Sequence, residues 1–315
     1  MSDLDINLIV PGTLDGLRLD RALSLVSGLS RAEVAKMIDE GQVLLDATTA
    51  KKPSVRVSTG QHLVAHVEET SDDVLADETV PVEIVGEDDD FLVVNKRAGQ
   101  VVHPGAGQRT GTLIAGVLAR RPEIVELVRA GLCDPYRPGV VHRLDKGTSG
   151  LLVVATTPRG LESLRDQLFR REMGRTYLGL VDGHVEESRG VVEAPIGRST
   201  RQPTLMAVRA DGRAARTHYE VLARYDKPAV TLLRLRLDTG RTHQIRVHLS
   251  TIGHPVVNDL RYGHQRDHRL PEERFFLHSQ RLEFLNPKSE QPENYLADLP
   301  DDLAALTPEW RQTLE

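Results

Sequence analysis

Residues 140–155 read VVHRLDKGTSGLLVVA, a polar segment between two runs of valine and leucine. Such aliphatic runs are typical of buried strands, and the glycine, serine and threonine between them are typical of a turn. The pattern predicts that His142, Arg143, Leu144 and Asp145 lie where two buried strands meet. A carboxylate held there costs free energy unless it is paired, so the fold must supply Asp145 with a partner or a use.

The chain beyond residue 80 is rich in predicted strands that helices interrupt. Strands are expected at residues 80–85, 91–96, 100–103, 139–142, 151–155, 175–181 and 230–237. One helix is expected to begin at Thr157-Pro158, and another to run from Thr242 to about Ile252. Strands and helices do not alternate regularly, so the sequence predicts an α+β fold with a mixed or antiparallel sheet.

The N-terminal part has a different pattern. Residues 17–46 predict two short helices, with Ser30 capping the second and Glu33 completing a capping box. Short strands with a turn are expected after them. We therefore predict a small helix-pair-plus-sheet domain over residues 14–70, an acidic linker with the first strand over 71–90, and a main domain over 91–315.

The net charge of −6 conceals a separation of charge along the chain. Residues 68–90 contain 11 acidic residues and no lysine or arginine, whereas residues 91–287 contain 31 basic against 20 acidic residues. Arginine supplies 33 of the 40 basic residues, and its guanidinium binds phosphate and stacks on bases. A general preference for arginine could explain that ratio, but not the separation of charge. The pattern favours a polyanionic partner such as RNA for the main domain.

Several classes of protein are disfavoured. Cys133 is the single cysteine, which excludes an internal disulfide and favours a reducing cytoplasm. The N-terminus does not resemble a signal peptide, and no run approaches the roughly 20 apolar residues of a membrane span. His243 and His248 lie about 140° apart on a predicted helix, so they do not converge on one metal ion. We find no motif for a metal, a nucleotide or a redox cofactor, and residues 147–151 (GTSGL) do not form a GxSxG elbow.

Asp145 is the strongest chemical candidate. A carboxylate can attack a sugar carbon or an activated base, and a cation beside it would keep it ionised. That cation could be Arg143 or an arginine from another segment. A structural salt bridge that supports the turn explains the same residues, so the stretch alone leaves both interpretations open.

The motifs around Asp145 resemble those of the RluA/RluD-type pseudouridine synthases. GVVHRLDKGTSGLLVVA resembles their catalytic motif, EDDDFLVVNKRAGQVVHPG (87–105) their first motif, RTYLGLVDG (175–183) their tyrosine strand and LDTGRTHQIRVHLSTIGHPVVND (237–259) their third motif. The N-terminal part resembles the alpha-L RNA-binding motif of a small-subunit ribosomal protein. Three departures are visible: Arg97 replaces a usual proline, Gly147 a common acidic residue, and Asp46-Ala47 a usual Asn-Gly turn.

The resemblance implies an RNA pseudouridine synthase that needs no cofactor and no metal. It implies that Asp145, Tyr177 and Arg246 are catalytic, Arg246 pairing with the Asp145 carboxylate, and that Arg143 fills the space left by a flipped uridine. For Arg143 a phosphate contact is the alternative, and Tyr177 could be an ordinary strand aromatic. The remaining candidates are His142, Leu144 and Ile245 around the pocket, and Arg18, Arg21, Arg31, Lys36 and Arg241 for RNA binding.

The expected substrate is large-subunit ribosomal RNA, and nothing in the sequence demands more than a monomer. Transfer RNA is an alternative substrate for the same chemistry. An RNA-binding ribosome-assembly factor with dispensable catalysis is a second alternative, although such a protein has no use for all three catalytic residues. A glycosidase would need a second carboxylic acid beside Asp145, and no motif supplies one.

Overall fold

A computed structural model describes residues 4–27, 29, 31–67, 74–105, 108–263 and 266–307 of the chain. The chain divides into two compact units, Met1–Asp72 and Asp73–Glu315, which we call the first and second units. Within the described residues, no helix has the length and apolar character that crossing a membrane requires.

The described part of the first unit contains two helices packed on a small antiparallel sheet. Its elements are β1 (Leu4–Ile9), α1 (Leu19–Ser27), α2 (Arg31–Asp39), β2 (Val43–Leu45), β3 (Thr48–Thr49) and β4 (His62–Val67). The strand order is β1-β4-β2-β3. The core includes Leu19 and Leu23 of α1 with Val34 and Ile38 of α2. The predicted helix pair is therefore confirmed, whereas β1, which precedes residue 14, was not predicted.

The hairpin between β2 and β3 accounts for one departure from the family pattern. Asp46 and Ala47 have φ values of 50° and 61°, the left-handed conformation that usually selects Asn-Gly in a two-residue turn. Asp46 stabilises this turn because its carboxylate accepts hydrogen bonds from the His62 amide and the Gln61 side chain, both at 2.8 Å. The proposed cap Ser30 lies outside the described residues, as does the side chain of Glu33.

The second unit is built on one large sheet. Its strands are β5 (Ile84–Glu87), β6 (Phe91–Lys96), β7 (Ser149–Ala155), β8 (Gly174–Asp182), β9 (Arg189–Glu193), β10 (Ile196–Arg198), β11 (Met206–Val208), β12 (Arg216–Asp226), β13 (Ala229–Leu237), β14 (Leu277–Leu285) and β15 (Pro292–Leu296). Its helices are α3 (Leu113–Arg120), α4 (Val125–Arg129), α5 (Pro158–Arg170), α6 (Gln244–Thr251) and α7 (Asp301–Ala304). Short 3₁₀ turns occur at Gly12–Leu14 in the first unit and Pro122–Ile124 in the second.

The large sheet is mixed. Its order is β5-β6-β7-β14-β8-β13-β12-β9, with β15 also paired to β14, while β10 and β11 form a separate pair. Among the described strands, β7 and β14 run parallel, and the other pairings in this sheet are antiparallel. The α+β class with a mixed sheet is therefore confirmed. The order places β14 between β7, which follows Asp145, and β8, which carries Tyr177.

Four of the predicted strands are confirmed, and three predictions fail in part or completely. β6, β7, β8 and β13 match the expected segments, whereas residues 100–103 and 139–142 form no strand; Val140 makes a single bridge to Val154. The strand expected at 80–85 begins only at Ile84. Val80 and Val82 instead pack on Gly116 of α3, where a Cβ would come within 2.9 Å of both side chains.

Both predicted helices exist, with one corrected boundary. α5 begins at Pro158, and the Thr157 hydroxyl accepts a hydrogen bond from the Gly160 amide at 3.1 Å, as expected for a capping residue. The second helix, α6, begins at Gln244 rather than Thr242 because His243 has a left-handed φ of 57°. That conformation lies just before the helix, so it orients the start of α6 toward the turn that holds Asp145.

Candidate active site

Asp145 lies in the turn that leads into β7, and buried cations hold this turn. The Lys96 ammonium, at the end of β6, donates to the carbonyl oxygens of Arg97 and Gln100 at 2.9 Å and of Lys146 at 3.3 Å. Arg274 donates to the Gly147 carbonyl at 2.8 Å and to the Ser149 hydroxyl at 3.0 Å. These contacts fix the backbone on both sides of Asp145.

Gly147, the second departure from the family pattern, has a structural reason. A Cβ at this position would overlap the carbonyl oxygen of Glu273 and come within 2.6 Å of the Phe275 ring. The turn therefore packs directly under the segment before β14. Arg97, the remaining departure, has an exposed side chain, and its carbonyl oxygen accepts one of the Lys96 hydrogen bonds.

A network of two carboxylates and one guanidinium forms the centre of the site. The Nη1 atom of Arg246, on α6, donates to Oδ2 of Asp145 at 2.9 Å. Its Nε and Nη2 atoms donate to the two oxygens of Asp259 at 2.6 and 2.9 Å. The side chains of Asp259 and Arg246 are 1% and 5% exposed, and that of Asp145 is 15% exposed. Asp145 is thus the member of this network that is accessible from outside.

Aromatic rings hold the Arg246 guanidinium in place. Its central carbon lies 4.3 Å from the centroid of Phe275 and 5.0 Å from that of Tyr262. Burial lowers the pKa of Arg246, but the hydrogen bonds and charges of Asp259 and Asp145 outweigh that effect and raise the pKa well above its ordinary value. The guanidinium therefore remains a fixed positive charge.

The second oxygen of Asp145 is available for chemistry. Among the described residues, Oδ1 accepts no hydrogen bond, and the Nε2 atom of His243 lies 3.9 Å from it. Burial lowers the pKa of His243, an effect that the Asp145 charge opposes without reversing, so the imidazole is neutral at pH 7. Its Nδ1 atom shares a hydrogen bond with the Tyr262 hydroxyl at 2.7 Å. One carboxylate oxygen is thus anchored, and the other faces the cavity.

A cavity of about 550 Å³ opens in front of Asp145. It is lined by eight of the residues that the sequence predicted, all in the second unit: His142, Arg143, Leu144, Asp145, Tyr177, Arg241, Ile245 and Arg246. Among the described residues, six arginines and two aspartates line it, so the wall is strongly basic. The structure therefore brings together residues that lie more than 100 positions apart in the sequence.

Tyr177 lies on β8, and the strand β14 lies between β8 and the start of β7. Its side chain is 5% exposed and lines the cavity. Burial raises the pKa of Tyr177, and the Arg175 charge and a hydrogen bond with Ser279 offset this only in part. The phenol is therefore protonated at neutral pH.

The other cavity residues have distinct environments. Arg143 is exposed and makes no hydrogen bond or ion pair with any residue that the structure describes. Arg241 is half-buried and donates to the Ala214 carbonyl at 3.1 Å. His142 accepts a hydrogen bond from the Val153 amide through Nε2 at 3.1 Å, while Leu144 and Ile245 are each 4% exposed. Of these, Arg143 has the freedom that an RNA contact requires.

The basic candidates of the first unit differ from one another. Arg18 forms a two-pronged hydrogen bond with the buried carboxylate of Asp20, at 3.1 and 3.0 Å. Arg21 is exposed, and Lys36 is exposed with a weak ion pair to Glu40 at 3.4 Å. The side chain of Arg31 is outside the described part of the chain. Arg18 therefore supports the fold of its unit, whereas Arg21 and Lys36 are free to meet a polyanion.

Three residues of the site were not singled out from the sequence. Asp259 is the last residue of the third quoted motif, and Lys96 lies within the first, so the motifs contained both without showing their contacts. Arg274 lies outside the motifs, and its sequence neighbours carry no signal. Its role depends on Asp302, which it contacts at 2.7 Å and which is 28 residues away.

The histidines do not form a metal site in the described part of the chain. His248 contacts Thr217 through Nδ1 and the Ala194 carbonyl through Nε2, both at 2.9 Å, whereas His243 contacts Tyr262. Within the described residues, no group of three or more histidine, cysteine, aspartate or glutamate side chains is arranged to hold a metal ion.

The buried ammonium of Lys96 predicts a measurable pH dependence of stability. Burial lowers the pKa of Lys96 to about 7; the Asp145 charge opposes this shift and the Arg274 charge adds to it. Between pH 7 and the ordinary lysine value the native state therefore binds fewer protons than the unfolded state, and the unfolding free energy rises with pH. We expect wild type to gain unfolding free energy relative to Lys96→Met as the pH rises. The gain from pH 7 to 9.5 should be roughly 2–3 kcal/mol, at up to about 1.4 kcal/mol per pH unit. Urea unfolding at both pH values checks this, and a difference that stays constant would contradict it.

The chain is similar to known proteins over most of its length. The RNA pseudouridylate synthase family matches residues 90–251, and the S4 domain matches residues 17–63. The chain is 43% identical to "Ribosomal large subunit pseudouridine synthase D" of Nitrosomonas europaea, over 96% of this chain and 86% of that protein. It is 40% identical to the protein of the same name from Xanthomonas campestris, over 95% and 90%. The solved structure of human RNA Pseudouridylate Synthase Domain Containing 1 has a TM-score of 0.57 and 28% identity, covering 77% of this chain and 90% of that one.

Proposed function

This chain belongs to the RNA pseudouridylate synthase family, and from that premise we propose that it isomerises uridines of large-subunit ribosomal RNA with Asp145 as its central catalytic group. The chain is an RNA pseudouridine synthase with an S4 RNA-binding domain before its catalytic domain. We further propose which RNA it modifies and what each residue of the site does. We also propose that the first unit binds RNA while the second carries out the reaction.

The observation that carries the catalytic assignment is the asymmetric environment of Asp145. Oδ2 is anchored by Arg246, while Oδ1 has no hydrogen-bond partner among the described residues and faces a basic cavity. A salt bridge that only supported the turn would not require a free carboxylate oxygen in front of a basic cavity. The volume of about 550 Å³ lies within the range of roughly 300–1,000 Å³ typical of small-molecule sites, enough for a nucleotide.

The proposed reaction begins with a uridine that leaves its base stack and enters this cavity. Asp145 acts where the bond between sugar C1′ and uracil N1 breaks, the uracil turns, and its C5 atom bonds to C1′. Tyr177 packs on the uracil with its phenol protonated. Arg143, which is exposed at the cavity and unpaired among the described residues, fills the space that the uridine leaves, because a planar guanidinium can stack where a base was.

Large-subunit ribosomal RNA is the substrate that the relatives favour. Both bacterial relatives named above are called synthases of the large subunit, and each aligns over almost the whole of this chain. The excess of basic residues in 91–287 fits a long polyanion. The cavity is lined by residues of a single chain, so we propose a monomer, and we expect it to act in the cytoplasm.

We propose that the first unit increases the affinity for RNA and takes no part in the reaction. Removal of residues 1–70 is expected to weaken RNA binding and to reduce its salt dependence. The rate at saturating RNA should fall by a smaller factor than the affinity.

The double variant Arg21→Gln/Lys36→Gln is expected to reduce the slope of log affinity against log salt by about 1–2, because each phosphate contact contributes about 0.9. Filter binding between 50 and 300 mM salt measures this, with Lys227→Gln as a control that removes one exposed positive charge from the second unit. An unchanged slope after the deletion would argue against the first unit as an RNA clamp.

The substrate is tested by mapping pseudouridines in a strain that lacks the gene for this chain. Carbodiimide labelling and reverse-transcriptase stops are compared in ribosomal and transfer RNA, with rescue by wild type and by Asp145→Asn. We expect stops in large-subunit RNA to disappear and to return only with wild type. Lost stops in transfer RNA would replace the proposed substrate, and no lost stop would favour an RNA-binding assembly factor.

A further inference from the structure

Arg175 is a buried cation in the cavity wall that has no hydrogen-bond partner among the described residues. It lies on β8 two residues before Tyr177, so both side chains point to the same face of the sheet, and both line the cavity. Arg175 is 5% exposed. Among the residues that the structure describes, none accepts a hydrogen bond from its guanidinium, and its buried Nε atom is left unsatisfied.

The other buried arginines of this site show how unusual this is. Arg246 is hydrogen-bonded to both Asp145 and Asp259, and Arg274 to Asp302, Gly147 and Ser149. Burial lowers the pKa of Arg175, and the charges of Tyr177 and Asp238 recover only part of that loss. A buried charge without a partner destabilises a fold. The place of Arg175 in a cavity wall therefore indicates that it contacts a bound molecule rather than supporting the fold.

A second unsatisfied donor lies on the same wall. His142 uses Nε2 to accept a hydrogen bond from the Val153 amide, so its proton is on Nδ1, and that atom has no acceptor among the described residues. Burial, with the Arg175 charge adding to it, lowers the pKa of His142 to about 3, so the ring stays neutral. Arg175 and His142 thus both line the cavity, and each has a donor atom that no described residue satisfies.

We propose that Arg175 binds the uracil ring during the reaction and stabilises the negative charge that it acquires. This rests on the proposed function. When the C1′–N1 bond breaks, its electron pair stays on the uracil and spreads over N1, O2 and O4. When C5 bonds to C1′, two electrons of the ring form the new bond. The C5 proton then leaves and N1 gains a proton, so the isomerisation is balanced without another reactant.

The burial of Arg175 favours a uracil oxygen over an RNA phosphate. A phosphate stays at the mouth of a cavity when its base is flipped in, whereas Arg175 is enclosed by the wall. The Gly240 backbone lies against it, since a Cβ at that position would come within 2.7 Å of Nη1. A fixed donor in such an enclosed site acts on the developing charge without reorganising, and losing one typically slows a reaction by about 10²–10³-fold.

The test compares Arg175→Met and Arg175→Lys in the full chain. The substrate is total RNA from the strain that lacks the gene, which contains whichever uridine the enzyme modifies. We expect Arg175→Met to lower kcat about 100-fold, Arg175→Lys to recover at least about tenfold of that loss, and the KM for RNA to change less than about threefold. The salt dependence of RNA binding should not change, because no phosphate contact is lost.

Thermal unfolding separates this role from a structural one. Removal of an unpaired buried charge is expected to leave Tm unchanged or to raise it, whereas loss of a structural contact would lower it. Arg236→Met is the matched control. Arg236 lies on the neighbouring strand β13, opposite Thr176, with its side chain exposed and therefore on the other face. Its kcat and Tm should equal those of wild type.

Three results would overturn the proposal. A lower Tm with unchanged kcat would make Arg175 structural, and a reduced salt slope with raised KM would make it a phosphate contact. In both cases an active wild type would leave the proposed function intact. If wild type itself formed no pseudouridine in this RNA, the proposed function would fail, and the assignment of Arg175 would fail with it.

Discussion

Replacement of Asp145 by asparagine is expected to lower turnover by at least about 10³-fold, the order typical of removing an essential nucleophile or its electrostatic equivalent. Asparagine keeps the shape of the side chain but has no charge to act on the sugar. RNA affinity should remain within about threefold of wild type, because the basic cavity wall and the first unit are unchanged. Mass spectrometry of nucleosides measures turnover, and filter binding measures affinity.

The matched control for this variant is Asp238→Asn. Asp238 lies on the wall of the same cavity, is 22% exposed and contacts His218 at 2.9 Å, but it does not contact Arg246. We expect it to retain turnover within about tenfold, since Asp145 and its partner are intact. Turnover by Asp145→Asn at a level close to that of Asp238→Asn would refute the role assigned to Asp145.

The second large effect is expected for Arg246→Met. Methionine fills the apolar space between Phe275 and Tyr262, but it leaves the carboxylates of Asp145 and Asp259 without their cation. Asp259 is 1% exposed, so the unfolding free energy should fall by about 3–5 kcal/mol, the usual cost of breaking a buried ion pair from one side. Turnover should be lost as well, because the Asp145 carboxylate is no longer oriented.

A double variant separates the two consequences. In Arg246→Met/Asp259→Asn the more deeply buried negative charge is also removed, so we expect at least about half of the lost unfolding free energy to return. Turnover should not return, because Asp145 still lacks its anchor. Urea unfolding and a turnover assay on the same preparations provide both readouts. An unfolding free energy of Arg246→Met within about 1 kcal/mol of wild type would contradict the network as described.

The pairing of Asp145 with Arg246 could be predicted from the sequence because both residues lie in motifs that resemble those of the family. Their resemblance to family motifs implied the pair, which the structure contains at 2.9 Å. The contact of Asp259 with Arg246 could not be predicted from the sequence. A carboxylate at the end of a motif can be a cap, a turn residue or an ion-pair partner, and the contact with Arg246 depends on how α6 and the following turn pack.

The strand errors have a related cause. The valine pairs at 101–102 and 140–141 have high strand propensity, yet a strand requires a free neighbouring edge, which is a tertiary property. Residues 139–142 lie along the part of β7 that β14 does not pair with, but only a bridge from Val140 to Val154 forms there, because the Val153 amide donates to the His142 ring rather than to a backbone carbonyl. Propensity reports which residues fit a strand, and not whether a partner is available.

The missed helix α3 illustrates the opposite problem. Its sequence LIAGVLAR is apolar on most sides, and residues Leu113–Leu118 are all buried, so no amphipathic period marks it as a helix. Gly116 lowers its helix propensity further, but it allows the close approach of Val80 and Val82. Val80 and Val82 thus pack on α3, and the first contact with the sheet is the hydrogen bond from the Asn95 amide to the Glu83 carbonyl at 2.8 Å.

The cavity in front of Asp145 is expected to form a new bond between uracil C5 and the sugar without any added cofactor. The most direct measurement is tritium release by the purified chain from RNA labelled at C5 of uridine, in the presence of a metal chelator. Release equal to the pseudouridine formed, lost in Asp145→Asn and retained in Asp238→Asn, is the predicted result. RNA that stays bound with no tritium released would contradict the account.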